Sequence, residues 1–399
     1  MPVDSLGELI RSAFGSDAVV VARAPLGTRN IGGYYTEEHP HLQRCTLRGG
    51  SATPRTVIVK MRRANGDSRA DTRFLRNERA ALEFLNGIGS TAAPRFIAGD
   101  DAAGIVVMED LGPGLSPDLL LVGADPDAAC AGLVAFARGL GRLHASTVGR
   151  SEEFYRIRSK LGPVDPMAHR VTYGGAPIID TWNELKGEVR ALLVSPDPAA
   201  ADGDVDAVIH TLADPGDHLA LSNGDVCPQN ARLFGDTVRF LDFDGAVFRH
   251  ALLDAAYLRF PFVDCPCRSL LPDTVQRFVE QAYREELATA CLAALDNTSY
   301  ERGIAAACAA KTIQRAMGFA SIIGSDTTYG MRMSVSKRAW LLAAIDTFRA
   351  ASNRSGTLRT LAEWFGDFAD VLTRRWGAEP PAAPLYPAFQ RHPDQAHSA

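Results

Sequence analysis

The sequence is poor in the features that would take it out of the ordinary globular class. Its 399 residues contain no run of 18 apolar side chains, so no transmembrane helix is expected. The N-terminal stretch MPVDSLGELIRSAFGSD carries Asp4 and Glu8 and lacks an apolar segment, so it is not expected to be a signal peptide. A basic excess is missing too. The 42 Lys and Arg face 47 Asp and Glu, a net charge of −5, which is not the balance of a nucleic-acid binder. No internal repeat is apparent. Cysteine is scarce: Cys45, Cys130, Cys227, Cys265, Cys267, Cys291 and Cys308 are scattered, and only Cys265 and Cys267 lie close together. No Cys/His spacing matches a four-ligand zinc site. With no export signal, the expectation is reduced thiols and a cytoplasmic protein.

What is present is an average globular composition, 46% apolar and 22% charged. A chain of this length predicts two or three lobes or domains. It can bury roughly three quarters of its unfolded surface without staples. Charge is uneven: residues 1–110 hold 14 basic and 13 acidic side chains, and the remainder 28 and 34. That mild acidity reads first as ordinary solubility, though it would also suit a cationic substrate.

Residues 18–61 read as strands. AVVVARA and TPRTVIVKM are apolar runs, separated by the glycine-bearing segments GTRNIGG (27–33) and LRGGSATP (47–54). A helix is predicted over 74–85, with Phe74, Ala81, Leu82 and Leu85 on one face. Glu78 lies on that same face, where a carboxylate is costly unless paired, and Lys60 on the preceding strand offers a partner. Another strand, Ile105 to Met108, runs into Glu109, Asp110, Leu111 and Gly112. From about 125 the pattern turns helical. Asp125-Pro126 forms a start signal for a stripe through Leu133, Phe136, Leu140 and Leu143. Helical patterns recur near 179–194, 272–288, 302–320, 335–351 and 357–376. The Pro/Ala-rich end, 377–399, predicts an irregular or mobile tail.

One stretch breaks the helical run. SNGDVCPQN (222–230) is followed by two short apolar strands around Gly235-Asp236, then by LDFDGA (241–246). A hairpin brings its ends together, so Asp225, Asn230, Asp242 and Asp244 are expected around one point. Clustered carboxylates repel, and a carboxylate with an amide oxygen suits Mg²⁺ shared with phosphates.

This pattern, Gly-Asp-x-x-Pro-x-Asn, a hairpin, then Asp-Phe-Asp, resembles the aminoglycoside phosphotransferase and choline kinase family of protein-kinase-like small-molecule kinases. The likeness runs over roughly 18–376, with Leu140 to Ala145 similar to the helix before the catalytic loop and Leu252 to Leu258 similar to the segment after the metal loop. It implies an α+β bilobal protein kinase-like fold. The strand-rich N-terminal nucleotide-binding lobe would span 1–112. A mainly helical C-terminal catalytic and substrate-binding lobe with a catalytic hairpin would span 113–376, and an irregular tail 377–399. The implied activity is transfer of the γ-phosphoryl of ATP, with GTP left open, to a hydroxyl of a small molecule such as an aminoglycoside, sugar, choline-like amine or other metabolite. Asp225 would be the catalytic base. Asn230, Asp242 and Asp244 would hold Mg²⁺, though Asp244 is as readily a solvated non-ligand. Lys60 and Glu78 would serve the nucleotide phosphates. Gly27, Thr28 and Asn30 would lie in the loop over the phosphates, and the backbone of Met108, Glu109, Asp110 and Leu111 would meet the adenine edge. No nucleic-acid or membrane partner is implied.

The chain departs from the family at Asn223 and Cys227, where His is common, and Gly27, Gly32 and Gly33 do not form GxGxxG. Asn223 and the weak glycine loop are the support for the alternative, a non-catalytic pseudokinase-type protein that binds a nucleotide or a partner. Plainer roles exist as well. Asp225 taken alone is a turn residue. His144 packs, Asp254 braces the catalytic loop through backbone N–H groups, and Cys227 is an inert packing cysteine. Acceptor contacts are sought after residue 250, at Asp264, Glu280, Glu285 and Asp326.

Overall fold

The computed structural model describes residues 5–27, 38–63, 68–193, 197–260, 268–329 and 334–390. Helix α1 (Ser5–Phe14) precedes strands β1 (Val19–Gly27), β2 (Glu38–Arg48) and β3 (Thr56–Met61). Helix α2 (Ser68–Gly87) follows, then β4 (Phe96–Asp100) and β5 (Ile105–Glu109). Among the described residues these strands form one antiparallel sheet in the order β1-β2-β3-β5-β4. The residues of β3 are mostly β-branched, which suits a pleated and half-buried surface. Their alternation divides the two faces. Val57 and Val59 pack with Leu6 and Ile10 of α1, whereas Ile58 joins the main core with Leu75, Leu82 and Leu85 of α2. Period two therefore sends Lys60 to the face that α2 covers.

The rest of the chain is mainly helical. It runs through α3 (Pro117–Leu121), α4 (Pro126–Thr147), α5 (Ser151–Lys160), the short pair β6 (Thr172–Tyr173) and β7 (Ala176–Pro177), α6 (Ile178–Leu192) and α7 (Asp202–Ala213). Four short strands then frame the loops of interest: β8 (Leu219–Ser222), β9 (Ala231–Phe234), β10 (Thr237–Phe240) and β11 (Val247–His250). Helices α8 (Leu252–Ala255), α9 (Asp273–Leu287) and α10 (Asn297–Ala316) come next. The pair β12 (Thr328–Tyr329) and β13 (Val335–Ser336) precedes α11 (Lys337–Ser355) and α12 (Arg359–Trp376). The fold is thus a bilobal α+β arrangement. Asp125 caps α4 by accepting from the N–H groups of Asp127 and Ala128, and Pro126 takes the first helical position. Such a cap stabilises a helix by about 1 kcal/mol.

Two regions differ from the expectation. Residues 377–390 are irregular but packed. Leu270 donates from its N–H to the Pro384 carbonyl, Tyr386 donates to the Leu270 carbonyl, and the Tyr386 ring is fully buried. Cys227 is disulfide-bonded, against the expectation of reduced thiols throughout, while Cys45, Cys130, Cys291 and Cys308 are free. No helix among the described residues is long and apolar enough to cross a membrane.

The β9–β10 hairpin is bonded to the strand-rich N-terminal part of the chain. The Phe240 N–H donates to the Ala92 carbonyl at 2.7 Å. Arg239 donates to the Ala93 carbonyl at 2.7 Å and to the Glu109 carboxylate at 2.8 Å. These bonds fix the hairpin, and with it the loops at its two ends, against the sheet.

Candidate active site

The site begins with the face of β3. Lys60 Nζ lies 2.7 Å from Glu78 Oε2 on α2, 2.6 Å from Asp242 Oδ1 and 3.7 Å from Asp244 Oδ2. Glu78 sits on the buried stripe of α2 with Ala81, Leu82 and Leu85, whereas Phe74, expected on the same stripe, stays partly exposed; the partner of Glu78 is Lys60. Asp242 takes φ 58°, a left-handed conformation that Asp tolerates better than most residues.

Three carboxylates around one ammonium leave an excess of negative charge. Burial works against the charge on Lys60, but Glu78, Asp242 and Asp244 together outweigh it and raise the affinity of the amine for its proton. Burial pushes the Glu78 carboxyl up to about 7, against the pull of Lys60. Burial and the neighbouring Asp242 also push Asp244 up. Asp242 goes the other way: although burial opposes it, the Lys60 charge and hydrogen bond hold its carboxyl below the ordinary range. At 45% side-chain exposure, Asp242 is the most exposed of the three carboxylates.

The loop between β8 and β9 is held mainly by amides. Three donors converge on the Asp225 carbonyl: Asn223 Nδ2 at 3.2 Å, Asn230 Nδ2 at 3.2 Å and the Cys227 N–H at 2.9 Å. Asn230 Nδ2 also donates to Asp225 Oδ2 at 2.9 Å, which fixes the rotamer of that exposed carboxylate. Asn223 reaches across to the Leu241 carbonyl at 3.3 Å, and the Leu241 N–H donates to the Asn230 carbonyl at 2.7 Å. The β9–β10 register, Ala231 opposite Phe240, sets Asn230 beside Leu241, so Asp225 and Asp242 end on neighbouring strands of backbone. Gly224 has φ 90°, and a Cβ there would strike the backbone of Gly245. The close approach of the two loops therefore requires glycine.

Behind this loop lies a buried polar network. Asp254 accepts from Arg249 Nη2 at 2.6 Å and from His144 Nε2 at 3.2 Å, and also from Ser222 at the entry to the loop. The opposite ring nitrogen of His144 lies 2.8 Å from the Tyr283 hydroxyl. Because the Asp254 carboxylate accepts, Nε2 carries a proton towards it, and Nδ1 shares a second hydrogen bond with the Tyr283 hydroxyl. Burial works against the Asp254 charge, but Arg249, His144 and Ser222 hold its carboxyl far below the ordinary range. Asp254 thus braces the loop through side-chain donors rather than the backbone N–H groups expected from sequence.

At the junction between the lobes the side chains are already committed. Glu109 accepts from the Arg95 N–H and from Arg239, and Asp110 pairs with Arg44 at 2.6 and 3.0 Å and accepts from the Gly112 N–H. Met108 is buried, and Leu111 is partly exposed. Gly27 ends β1, whereas Thr28 and Asn30, with Gly32 and Gly33, lie outside the described residues. Among the described residues, no group of three or more His, Cys, Asp or Glu side chains is arranged to hold a metal ion.

The acceptor residues sought after 250 have other partners. Glu280 is locked with Glu301 on the buried Arg259, and Asp326 accepts from Ser336 and from the Arg338 N–H. Glu285 accepts from Gln281 on the surface of α9, and Asp264 lies outside the described residues. Asn223, which stands where the family commonly has His, does hydrogen-bond within the loop. Sequence reasoning missed the roles of Arg239 and Arg44, because long-range arginine pairings leave no local pattern.

No family model matches this chain, and no curated protein matches it. Solved structures do. The chain is similar to choline kinase from Cryptosporidium parvum Iowa II at 12% identity, covering 92% of this chain and 98% of that one with a TM-score of 0.44. It is similar to an aminoglycoside phosphotransferase from Alicyclobacillus acidocaldarius at 12% identity, over 89% and 96% of the two chains, with a TM-score of 0.43. It is also similar to macrolide 2′-phosphotransferase from Brachybacterium faecium, at 13% identity over 80% and 93%, with a TM-score of 0.43.

Proposed function

We propose that this protein is a phosphotransferase that moves the γ-phosphoryl of ATP to a hydroxyl of a small molecule, within a division of the chain into lobes at 112/113. The observation that carries this reading is the cluster of Lys60, Glu78, Asp242 and Asp244 facing the loop of Asp225 and Asn230. A lysine held by a buried helix carboxylate is oriented to meet phosphate oxygens. The surplus of carboxylates beside it gives a cation a place next to those phosphates. Asp242, Asp244 and Asn230 are the side chains that would hold Mg²⁺. Their donor set of carboxylate and amide oxygens suits a hard cation. Bound Mg²⁺ supplies neutralisation of the charge on the phosphoryl group in transfer.

The chain's own residues have separable tasks. Lys60 binds phosphate, and Glu78 fixes the lysine in place. Asp225, its rotamer set by Asn230, orients the acceptor hydroxyl and takes its proton at a carboxylate oxygen. The backbone of 108–111 meets the base, and the segment beginning at Gly27 covers the phosphates. Positioning supplies most of the rate in such chemistry. The compartment this reading proposes is the cytoplasm, and the Cys227 disulfide is the observation that runs against it.

Asp225→Asn tests the assignment. It keeps the side-chain volume and is expected to lower kcat by several orders of magnitude with little change in the affinity for ATP. Turnover near wild type would remove Asp225 from the chemistry.

A further inference from the structure

Next to Glu78 on α2 stands Asn77, a buried amide with two partners from distant parts of the chain. Its Nδ2 donates to the Asp244 carbonyl at 3.0 Å, and its Oδ1 accepts from Arg158 Nε on α5 at 2.7 Å. Arg158 is buried too, and its Nη1 donates to the Gly162 carbonyl at 3.1 Å. One amide therefore ties together the helix that carries Glu78, the loop that carries Asp242 and Asp244, and a helix of the other lobe.

Helices α2 and α5 meet again one layer below, here with β11, the strand that follows the loop. Phe84 of α2, Phe154 of α5 and Phe248 of β11 pack ring against ring, with centroids 5.5 to 6.0 Å apart. The neighbouring Tyr155 hydroxyl accepts from the Phe248 N–H at 3.3 Å. Helix α5 is thus bonded both to α2 and to the strand that leaves the Asp242 loop. An isolated contact between a helix and a loop is easily lost, but an apolar layer with a polar tie above it defines one docking position.

We infer that Asn77 and Arg158 are positioning residues that latch α2 to the Asp242 loop and so hold Glu78 and Lys60 in register with the phosphates. The inference rests on the phosphotransferase reading and deepens it. Lobe alignment comes from α5, a fixed part of the fold, so the Lys60–Glu78 pair is set before any ligand arrives. The latch acts on the phosphate end of the cleft, because the base end is braced separately by Arg239, Glu109 and the Ala92 and Ala93 carbonyls.

The test is titration calorimetry of Mg-ATP and of adenosine, with a thermal melt of each protein. Asn77→Leu/Arg158→Met replaces the buried polar pair by apolar side chains of similar size and takes these donors from the Asp244 and Gly162 carbonyls, so the melt reports whether the fold is kept. Arg158→Lys keeps a charged donor towards Asn77. The double variant is expected to fold, to bind Mg-ATP about tenfold more weakly, the scale of one lost charge-assisted hydrogen bond, and to bind adenosine within about twofold of wild type. Arg158→Lys is expected to stay near wild type for both ligands. Wild-type affinity for Mg-ATP in the double variant would overturn the latch. So would parallel weakening of both ligands with a falling Tm, because that is the mark of a merely structural role. A wild-type protein that binds neither ligand would overturn the phosphotransferase reading and the latch with it.

Discussion

Glu78 shows how a single residue is held against its own preference. Its carboxyl is buried on the apolar stripe of α2 and is pushed up to about 7, while Lys60 beside it is drawn towards its charged form by three carboxylates. A carboxyl raised on folding stabilises the protein fully below its unfolded value, 4.5. That share is lost as the pH climbs towards 7. Glu78→Gln removes the charge and keeps the shape. The expectation is a Tm at or above wild type, with a gap that widens from pH 5 to pH 8, together with weaker binding of Mg-ATP. Melts across that range check the first part. A variant less stable than wild type at pH 8 would show that the pair contributes more to the fold than its burial costs.

At the scale of elements, the hairpin was the most legible part of the chain. Two short apolar runs around Gly235-Asp236 became β9 and β10, and their pairing delivered Asn230 beside Leu241 and Asp242. Strand β3 and helix α2 were legible for the same reason: period two and period 3.6 put Lys60 and Glu78 on facing surfaces, and one charge needed the other. Helix α5 was not read. Its sequence SEEFYRIRSK is polar, and only Phe154 and Arg158 among its residues are buried, so no apolar stripe announced it. The latch with Asn77 was hidden twice over, since its partners lie 81 and 167 residues apart in sequence. Acceptor-side residues stayed illegible because carboxylates such as Glu280 look alike in sequence whether they face a cleft or, as here, a buried arginine.

Among the described residues, the lobes are fastened by the β9–β10 hairpin, by the Lys60 cluster and by α5 against α2. The helical lobe beneath is built on buried polar groups that respond to acid. His218 and His250 stack 5.0 Å apart in the core, and burial pushes both imidazoles down, His250 to about 3. A histidine lowered on folding stabilises the protein fully above its unfolded value of 6.5 and loses that share as the pH falls below it. The loss per histidine is at most about 1.4 kcal/mol for each pH unit. Asp254 acts in the same direction, at lower pH, because its carboxyl is held down and must be protonated as the fold opens. His218 Nε2 has no hydrogen-bond partner among the described residues, so His218→Phe gives up no bond at that atom while keeping a ring over His250. The expected result is a shallower fall of Tm between pH 7 and pH 5 than in wild type; an unchanged slope would exclude the pair as a source of acid sensitivity.

The central claim is that the surplus of carboxylates beside Lys60 exists to receive a cation with a nucleotide, and Asp242 is its most exposed member. The most direct measurement is calorimetric titration of ATP, with and without Mg²⁺, into wild type and Asp242→Ala. The account predicts binding that Mg²⁺ strengthens at least tenfold in wild type and fails to strengthen in the variant. ATP binding indifferent to Mg²⁺ in both proteins, or no binding of ATP or GTP at all, would contradict it.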